Sequence, residues 1–128
     1  MIIRTLNDVI GSNREMDWGN GVSRRFLLER DGMGYSLTDT IVKANTTSLL
    51  EYKNHMEACY CISGSGKVIE VSSGAVHKIE VGTIYALDKN DAHYLVAGDE
   101  DLRLVCVFMP ALIGHEVHNL NAEASSAY

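Results

Sequence analysis

The sequence predicts an all-β fold, either a sandwich or a small barrel, preceded by one short N-terminal helix. Over most of the 128 residues, apolar and polar side chains alternate in short runs, as in strands with one buried face. Turn residues separate these runs at short, even intervals, which is typical of sandwiches and barrels. The connections are too short for the crossover helices of a parallel α/β sheet, so that class is excluded.

The elements follow one another along the chain in a simple order. Residues 6–10 predict the short helix, inside a polar and glycine-containing stretch that continues to residue 22 without a further element. Strands are predicted at 24–28, 36–43, 48–52, 57–62, 67–71, 76–79, 83–87, 93–97 and 102–108. Gly64-Ser65-Gly66 joins two strands and no helix follows it, so we interpret it as a hairpin turn and not a phosphate-binding loop.

Length and charge narrow the class of protein. The 128 residues, 46% of them hydrophobic, predict one domain, placed at 1–118, followed by a mobile tail at 119–128. The net charge of −6 argues against binding to nucleic acid or to anionic membranes. The longest apolar stretch, 104–113, contains Pro110 and is shorter than the ~20 residues of a membrane span.

The N-terminus and the cysteines indicate the compartment. No apolar segment with a small-residue cleavage site follows Met1, so no secretion signal is predicted. The three cysteines cannot all pair within the chain, and reduced thiols are the simplest interpretation. We therefore expect a cytoplasmic protein, in which Cys59 and Cys61 are small buried side chains and not a redox or zinc pair.

The stretch 52–61 contains the residues most suited to chemistry. If its extended period of two holds, His55, Glu57, Cys59 and Cys61 share one face. A carboxylate among apolar side chains needs a partner, and a metal ion is one such partner. His93 lies downstream, at the start of another predicted strand, and brings a nitrogen donor towards the end of the sheet.

This arrangement resembles the cupin superfamily, whose fold is a double-stranded, jelly-roll-like barrel. The first cupin motif falls on His55, Glu57 and Gly64, and the second falls on 80–85, where Tyr85 stands at the usual histidine position. The ordinary three-histidine, one-glutamate site is therefore absent. The remaining oxygen-rich set of Glu57, Tyr85 and His93 suits Fe²⁺. The spacing alone leaves a metal-free pocket as an open alternative.

A closer resemblance covers almost the whole chain, from residue 1 to residue 118. The sequence resembles the L-ectoine synthase family in several separate motifs that occur in the same order. These motifs are Ser23-Arg24-Arg25, 31–36 (DGMGYS), 52–66 (YKNHMEACYCISGSG), 85–89 (YALDK), 104–108 (LVCVF) with Pro110, and 114–118 (GHEVH). Several motifs in register are far more specific than any one of them.

The resemblance implies an Fe²⁺-dependent, cytoplasmic, homodimeric cupin that closes N-γ-acetyl-L-2,4-diaminobutyrate to ectoine with loss of water. The implied metal ligands are Glu57, Tyr85 and His93. The implied substrate-binding residues are Ser23, Arg25, Thr40, Tyr52, Cys106, Phe108, Glu116 and His118, of which Thr40, Tyr52, Glu116 and His118 are the expected catalytic residues. Members of the family often have tryptophan where this chain has Gly21, and Trp18 is a candidate replacement.

Further expectations concern individual roles. Arg25 is expected to hold the substrate carboxylate, because its planar fork matches carboxylate geometry. Glu116 and His118 are expected to move protons, Glu116 also balancing the positive charge of the product. We expect His55 to orient Glu57 through a hydrogen bond and not to bind the metal. Two other functions stay open: a non-catalytic cupin that binds a small zwitterion, and an Fe²⁺ dioxygenase.

Overall fold

A computed structural model describes residues 1–116, and these residues form two antiparallel sheets packed face to face. The larger sheet has six strands in the order β1-β2-β3-β10-β5-β8, and the smaller has four in the order β4-β9-β6-β7. The helix is α1 (Leu6–Val9), and one 3₁₀ turn lies at Glu29–Asp31. The strands are β1 (Glu15–Asp17), β2 (Gly21–Leu27), β3 (Ser36–Val42), β4 (Thr47–Leu50), β5 (Met56–Ser63), β6 (Gly66–Glu70), β7 (Val76–Ile79), β8 (Ile84–Leu87), β9 (His93–Ala97) and β10 (Leu102–Met109).

This architecture confirms the predicted all-β, cupin-type fold with its short N-terminal helix. A capping box starts α1: the Thr5 hydroxyl accepts a hydrogen bond from the Asp8 N–H at 3.2 Å, and the Asp8 carboxylate accepts one from the Thr5 N–H at 2.8 Å. The strands predicted at 76–79 and 93–97 have the same first and last residues as β7 and β9. The predicted tail, 119–128, lies outside the described residues.

The stretch before residue 24 is where the strand prediction was wrong. It contains β1, and β2 begins at Gly21 instead of residue 24. β1 lies at the edge of the larger sheet and none of its three residues is fully buried, so it carries no apolar alternation for a pattern to detect. It is held by its pairing with β2, in which Glu15 lies opposite Arg24.

Apolar side chains from both sheets meet in one cluster that fills the space between them. Its fully buried members include Val42, Leu50, Ile79, Leu102 and Leu104. Because these side chains come from β3, β4, β7 and β10, the cluster fixes the separation of the two sheets. Within residues 1–116, no helix combines the length and the apolar character that crossing a membrane requires.

Candidate active site

A row of polar side chains crosses the inner face of the larger sheet. The strand registers place Arg25 opposite Thr38, Thr38 opposite Cys106, Cys106 opposite Cys59, and Cys59 opposite Tyr85. Four of these five strands alternate buried and more exposed residues, so this row points between the sheets. A β-sandwich normally fills this position with aliphatic side chains, and the polar row therefore indicates a site.

The row borders a narrow cavity of about 20 Å³, enough for about one water molecule. This volume is far below the roughly 300–1,000 Å³ typical of small-molecule pockets, so side chains of its wall must move apart to admit a substrate. Its walls combine polar, aromatic and aliphatic groups: Trp18, Ser23, Thr40, Val42, Leu50, Tyr52, Glu57, Cys59, Tyr85, Leu95, Leu104, Cys106 and Phe108. The cavity thus brings together seven residues that the sequence analysis assigned to the site, namely Ser23, Thr40, Tyr52, Glu57, Tyr85, Cys106 and Phe108.

Glu57 is a buried carboxyl group with one oxygen left without a hydrogen bond. Burial raises the pKa of Glu57 to about 7, and hydrogen bonds from the thiols of Cys59 and Cys106 only partly oppose that effect. Its Oε1 atom is buried and has no hydrogen-bond partner. An unsatisfied buried carboxylate oxygen is costly, so this atom is suited to a cation or to a ligand that enters the cavity.

His93 approaches the site from the smaller sheet. Its Nδ1–H donates to the carbonyl oxygen of Asp91 at 2.9 Å, which leaves the lone pair on Nε2. That Nε2 atom is buried and has no hydrogen-bond partner. Burial lowers the pKa of His93, so the imidazole is neutral near pH 7. A neutral imidazole oriented by a backbone carbonyl is the usual form of a metal-binding histidine.

Tyr85 lies near both of these groups. Its ring centroid is 6.3 Å from that of His93, and its backbone pairs with Cys59, two residues from Glu57. Burial raises the pKa of Tyr85 well above its usual value, so the phenol is neutral unless a cation lies beside it. Glu57, Tyr85 and His93 thus supply one oxygen, a second oxygen and one nitrogen, a donor set that fits Fe²⁺.

Arg25 and Glu116 form a buried pair outside the cavity wall. Arg25 has no exposed surface, and its Nη2 donates to the backbone carbonyl of Glu116 at 2.6 Å. The two side chains approach to 3.9 Å, between Nη1 and Oε1. Arg25 also donates to the Ser23 hydroxyl at 3.3 Å. The arginine expected to hold the substrate carboxylate therefore has an internal carboxylate beside it.

The Glu116 carboxylate is held in its ionised form. Burial alone would raise its pKa, but hydrogen bonds from the N–H groups of Ile113 and Gly114, both at 2.8 Å, and the charge of Arg25 lower it below the usual value. A carboxylate of this kind suits charge balance better than proton exchange near neutral pH. His118, the other residue expected to move protons, lies outside the described residues.

Trp18 occupies the wall beside Gly21. The indole is 3% exposed and lines the cavity next to Ser23 and Thr40. A Cβ atom on Gly21 would lie 3.1 Å from Trp18 Cζ2 and 1.8 Å from the backbone oxygen of Ile41, so no side chain fits there. Trp18 and Gly21 lie at opposite ends of the β1–β2 turn, which the bond from the Trp18 N–H to the Gly21 carbonyl closes at 3.1 Å. An aromatic wall is present, and it comes from Trp18.

The hypothesis that His55 orients Glu57 through a hydrogen bond is wrong. The Nδ1–H of His55 donates instead to the carbonyl oxygen of Pro110, at 2.7 Å. The Asn90 side chain in turn donates to the carbonyls of Tyr52 and His55, at 2.8 and 3.1 Å. These bonds fix the entry to β5, because they tie residues 52–55 to the β10 end and to the turn before β9. His55 therefore shapes the loop that leads to Glu57 without contacting its carboxylate.

The comparisons with known proteins decide the family. The family model described as "Ectoine synthase" matches residues 1–127. The chain belongs to the ectoine synthase family. L-ectoine synthase of Desulfatibacillum aliphaticivorans is 50% identical over 121 residues, covering 93% of this chain and 92% of that protein. L-ectoine synthase of Halalkalibacterium halodurans is also 50% identical over 121 residues, with 94% and 93% covered.

Solved structures agree with the ectoine synthase assignment. The crystal structure of ectoine synthase from P. lautus is 45% identical, has a TM-score of 0.85 and covers 89% of this chain and 81% of that chain. The cupin domain of Schizosaccharomyces pombe Cnp3, at 9% identity and a TM-score of 0.63, shares the fold alone. Membership of the ectoine synthase family makes this chain an enzyme of the hydro-lyase class.

Proposed function

We propose that this chain closes N-γ-acetyl-L-2,4-diaminobutyrate to ectoine and water in the cavity between its sheets. Support for the reaction comes from family membership along nearly the entire sequence. Support from the geometry rests on one observation: Glu57 Oε1 and His93 Nε2, donor atoms from the two opposing sheets, are both buried and without hydrogen-bond partners. Such atoms are rare in folded proteins and call for a partner, which a bound cation or ligand would supply.

The proposed reaction forms one C–N bond and breaks one C–O bond. The α-nitrogen, once it has lost its ammonium proton, attacks the acetamide carbonyl carbon and closes a six-membered ring. The carbonyl oxygen then leaves as water with two protons from the nitrogens, and a cyclic amidine remains. Amides resist attack by amines, so the enzyme must hold the chain folded, polarise the carbonyl and move protons.

Glu57, Tyr85 and His93 are the residues that would hold Fe²⁺ in this proposal. When bound, the ion supplies Lewis acidity that stabilises negative charge on the acetamide oxygen. No change of oxidation state is needed. The protein prepares for this role by orienting His93 through Asp91 and by burying Glu57 where water does not compete.

The aromatic walls would hold the substrate in its folded form. Tyr52 contacts both His93 and Phe108 edge to face, at centroid distances of 5.7 and 5.9 Å. Together with Trp18, these rings leave little room for an extended chain and exclude water from a reaction that releases it. Restricting the substrate to a near-attack geometry can account for several kcal/mol of the barrier.

Polar groups on the cavity wall would bind the reacting ends. The hydroxyls of Ser23, Thr40 and Tyr52 are the donors available to the substrate carboxylate, and Arg25 lies directly behind Ser23. Thr40 and Tyr52 also lie within the cavity as candidates for proton transfer. Glu116 lies outside the cavity wall and is already paired with Arg25, so it would act on the positive charge of the amidinium product only at a distance.

A cytoplasmic homodimer completes the proposal. An apolar groove crosses the outer face of the larger sheet, lined by Met56, Ala58, Ala86, Val107 and Met109 among others. Met56 and Met109 are 45% and 53% exposed, and adjacent exposed methionines are typical of a surface that another protein covers. We expect light scattering to give the mass of a dimer, and the double variant Met56→Glu with Met109→Glu to give that of a monomer. A wild-type monomer at micromolar concentration would contradict this part.

Anaerobic incubation with N-γ-acetyl-L-2,4-diaminobutyrate and Fe²⁺, followed by mass spectrometry, tests the reaction. The expected product is lighter than the substrate by one water and forms equally well without oxygen. Product formation that requires oxygen would support a dioxygenase instead. Tight ectoine binding by a folded chain with no turnover would support the non-catalytic alternative.

A further inference from the structure

Two thiols lie next to the buried Glu57 carboxylate. Cys59 and Cys106 are directly opposite each other on β5 and β10, and both side chains line the cavity. Their sulfur atoms and a Glu57 carboxylate oxygen all lie within 4.8 Å of one another. The three side chains are 1%, 2% and 6% exposed. Three potential ligand atoms therefore converge on one point inside the barrel, where water is largely absent.

The third cysteine provides a contrast on the same strand and the same face. Cys61 is also buried, but its thiol lies 3.5 Å from the carbonyl oxygen of Ser63 and 3.8 Å from that of Gly64. It does not line the cavity with Cys59. Burial in the barrel is thus common to all three cysteines, whereas convergence on Glu57 is particular to Cys59 and Cys106.

We propose that Glu57, Cys59 and Cys106 form a sulfur-containing metal site that takes a thiophilic divalent cation such as Zn²⁺ or Co²⁺. One carboxylate and two cysteines leave a four-coordinate ion one open position, the arrangement of catalytic zinc sites. This site rests on the proposed function in one respect, because it shares Glu57 with the oxygen-rich Fe²⁺ set. The Glu57 carboxyl group accepts hydrogen bonds from both thiols, and its Oε1 atom has no hydrogen-bond partner, so the group keeps an oxygen available to a cation.

Metal capture at this site involves no redox change. Each thiol gives its proton to solvent as its sulfur bonds to the cation, and Glu57 releases its proton where it is still protonated, so two to three protons leave for one ion bound. The two thiolates are soft ligands, and soft ligands select thiophilic ions such as Zn²⁺. The sulfur-containing set favours Zn²⁺ or Co²⁺, whereas the oxygen-rich set favours Fe²⁺. Because the two sets share Glu57, an ion at one set excludes an ion at the other.

Cobalt spectroscopy separates this proposal from the proposed reaction. The full-length chain, stripped of metal and shown to have three free thiols, is titrated with Co²⁺ while its absorption is recorded. We expect a sulfur-to-cobalt charge-transfer band in the near ultraviolet. Cys59→Ala and Cys106→Ala should each abolish or strongly reduce the band and weaken Co²⁺ binding by at least about tenfold. Cys61→Ala, the matched control, should keep both.

Each outcome bears on the proposal. Loss of the band in the Cys59 and Cys106 variants with retention in the Cys61 variant supports the site. Co²⁺ binding without a sulfur band overturns it while leaving the oxygen-rich metal set intact. Equal loss of the band in all three variants would overturn the site, because the band would then depend on the folding of the barrel and not on Cys59 and Cys106. Circular dichroism of each variant measures that folding. No Co²⁺ binding at all overturns this site, and the amount of Fe²⁺ bound by the same protein then tests the proposed iron centre separately.

Discussion

Replacing Arg25 with methionine should destabilise the fold strongly, although the new side chain is of similar length and apolar. Arg25 has no exposed surface, and it balances the ionised Glu116 at 3.9 Å while donating to the Glu116 carbonyl at 2.6 Å. Removing one member of a buried ion pair typically costs about 3–5 kcal/mol. Glu116 keeps two backbone N–H donors in the variant, so we expect a loss near 3 kcal/mol.

The neighbouring Arg24 provides a matched control on the same strand. It points to the outer face and contacts Asp39 at 2.6 Å, with 11% of its side chain exposed. Asp39 keeps Arg103 as a second partner when Arg24 is removed, so no charge is left uncompensated. Arg24→Met should therefore cost only about 1 kcal/mol. Combining Arg25→Met with Glu116→Gln should recover at most about 1 kcal/mol, because it removes the isolated carboxylate but leaves one of its two backbone N–H donors without an acceptor.

Urea unfolding measures these free energies, with the fluorescence of Trp18, the single tryptophan, and circular dichroism as two probes. The expected order of stability is wild type, Arg24→Met, the double variant and Arg25→Met. Equal losses for Arg24→Met and Arg25→Met would refute the reasoning. So would an Arg25→Met variant as stable as the wild type, because it would mean that the guanidinium is reserved for a ligand and contributes nothing to the fold.

Three further variants test other parts of the structure. Glu57→Gln should abolish Fe²⁺ retention while the barrel stays folded. Metal analysis measures the bound iron and circular dichroism measures the fold. Full metal content in this variant would exclude Glu57 as a ligand. Gly21→Ala should cost about 2 kcal/mol or more, because its Cβ would meet the Ile41 backbone oxygen at 1.8 Å; an unchanged thermal midpoint would contradict this. Partial burial would raise the pKa of Asp31, but hydrogen bonds from Arg14 and the Leu28 N–H lower it to about 2. Asp31→Asn should therefore lower the free energy of unfolding by about 1–2 kcal/mol at pH 7. The difference in stability between wild type and variant should shrink as pH falls from about 4 towards 2, and a constant difference across that range would contradict the prediction.

Alternation of apolar and polar residues was enough to predict most of the strands, because each has one face against the core. The strand prediction failed for elements that bury few apolar side chains. β1 is short, polar and at an edge, so only its pairing with β2 defines it. Trp18 could be proposed for the cavity wall from its position near Gly21, but its placement depends on the turn that joins β1 to β2.

Contacts between residues far apart in the sequence could not be predicted from the sequence. Arg25 and Glu116 are 91 residues apart, and nothing local indicates that they form a pair. Cys59 was interpreted as a small buried residue, which is correct for its exposure but misses its place in the cavity. The sequence does show that Cys59 is two residues from Glu57 and so lies on the same face of the strand. It does not show the strand register that places Cys106 opposite Cys59.

In the proposed reaction, closing the ring requires a metal ion held at Glu57, Tyr85 and His93. Turnover of N-γ-acetyl-L-2,4-diaminobutyrate by metal-stripped protein, measured while Fe²⁺ is added back and bound iron is counted, tests it most directly. We predict no product from the stripped chain and activity that rises in proportion to bound iron, up to one ion per chain. Full turnover by folded protein that contains no metal would contradict the account.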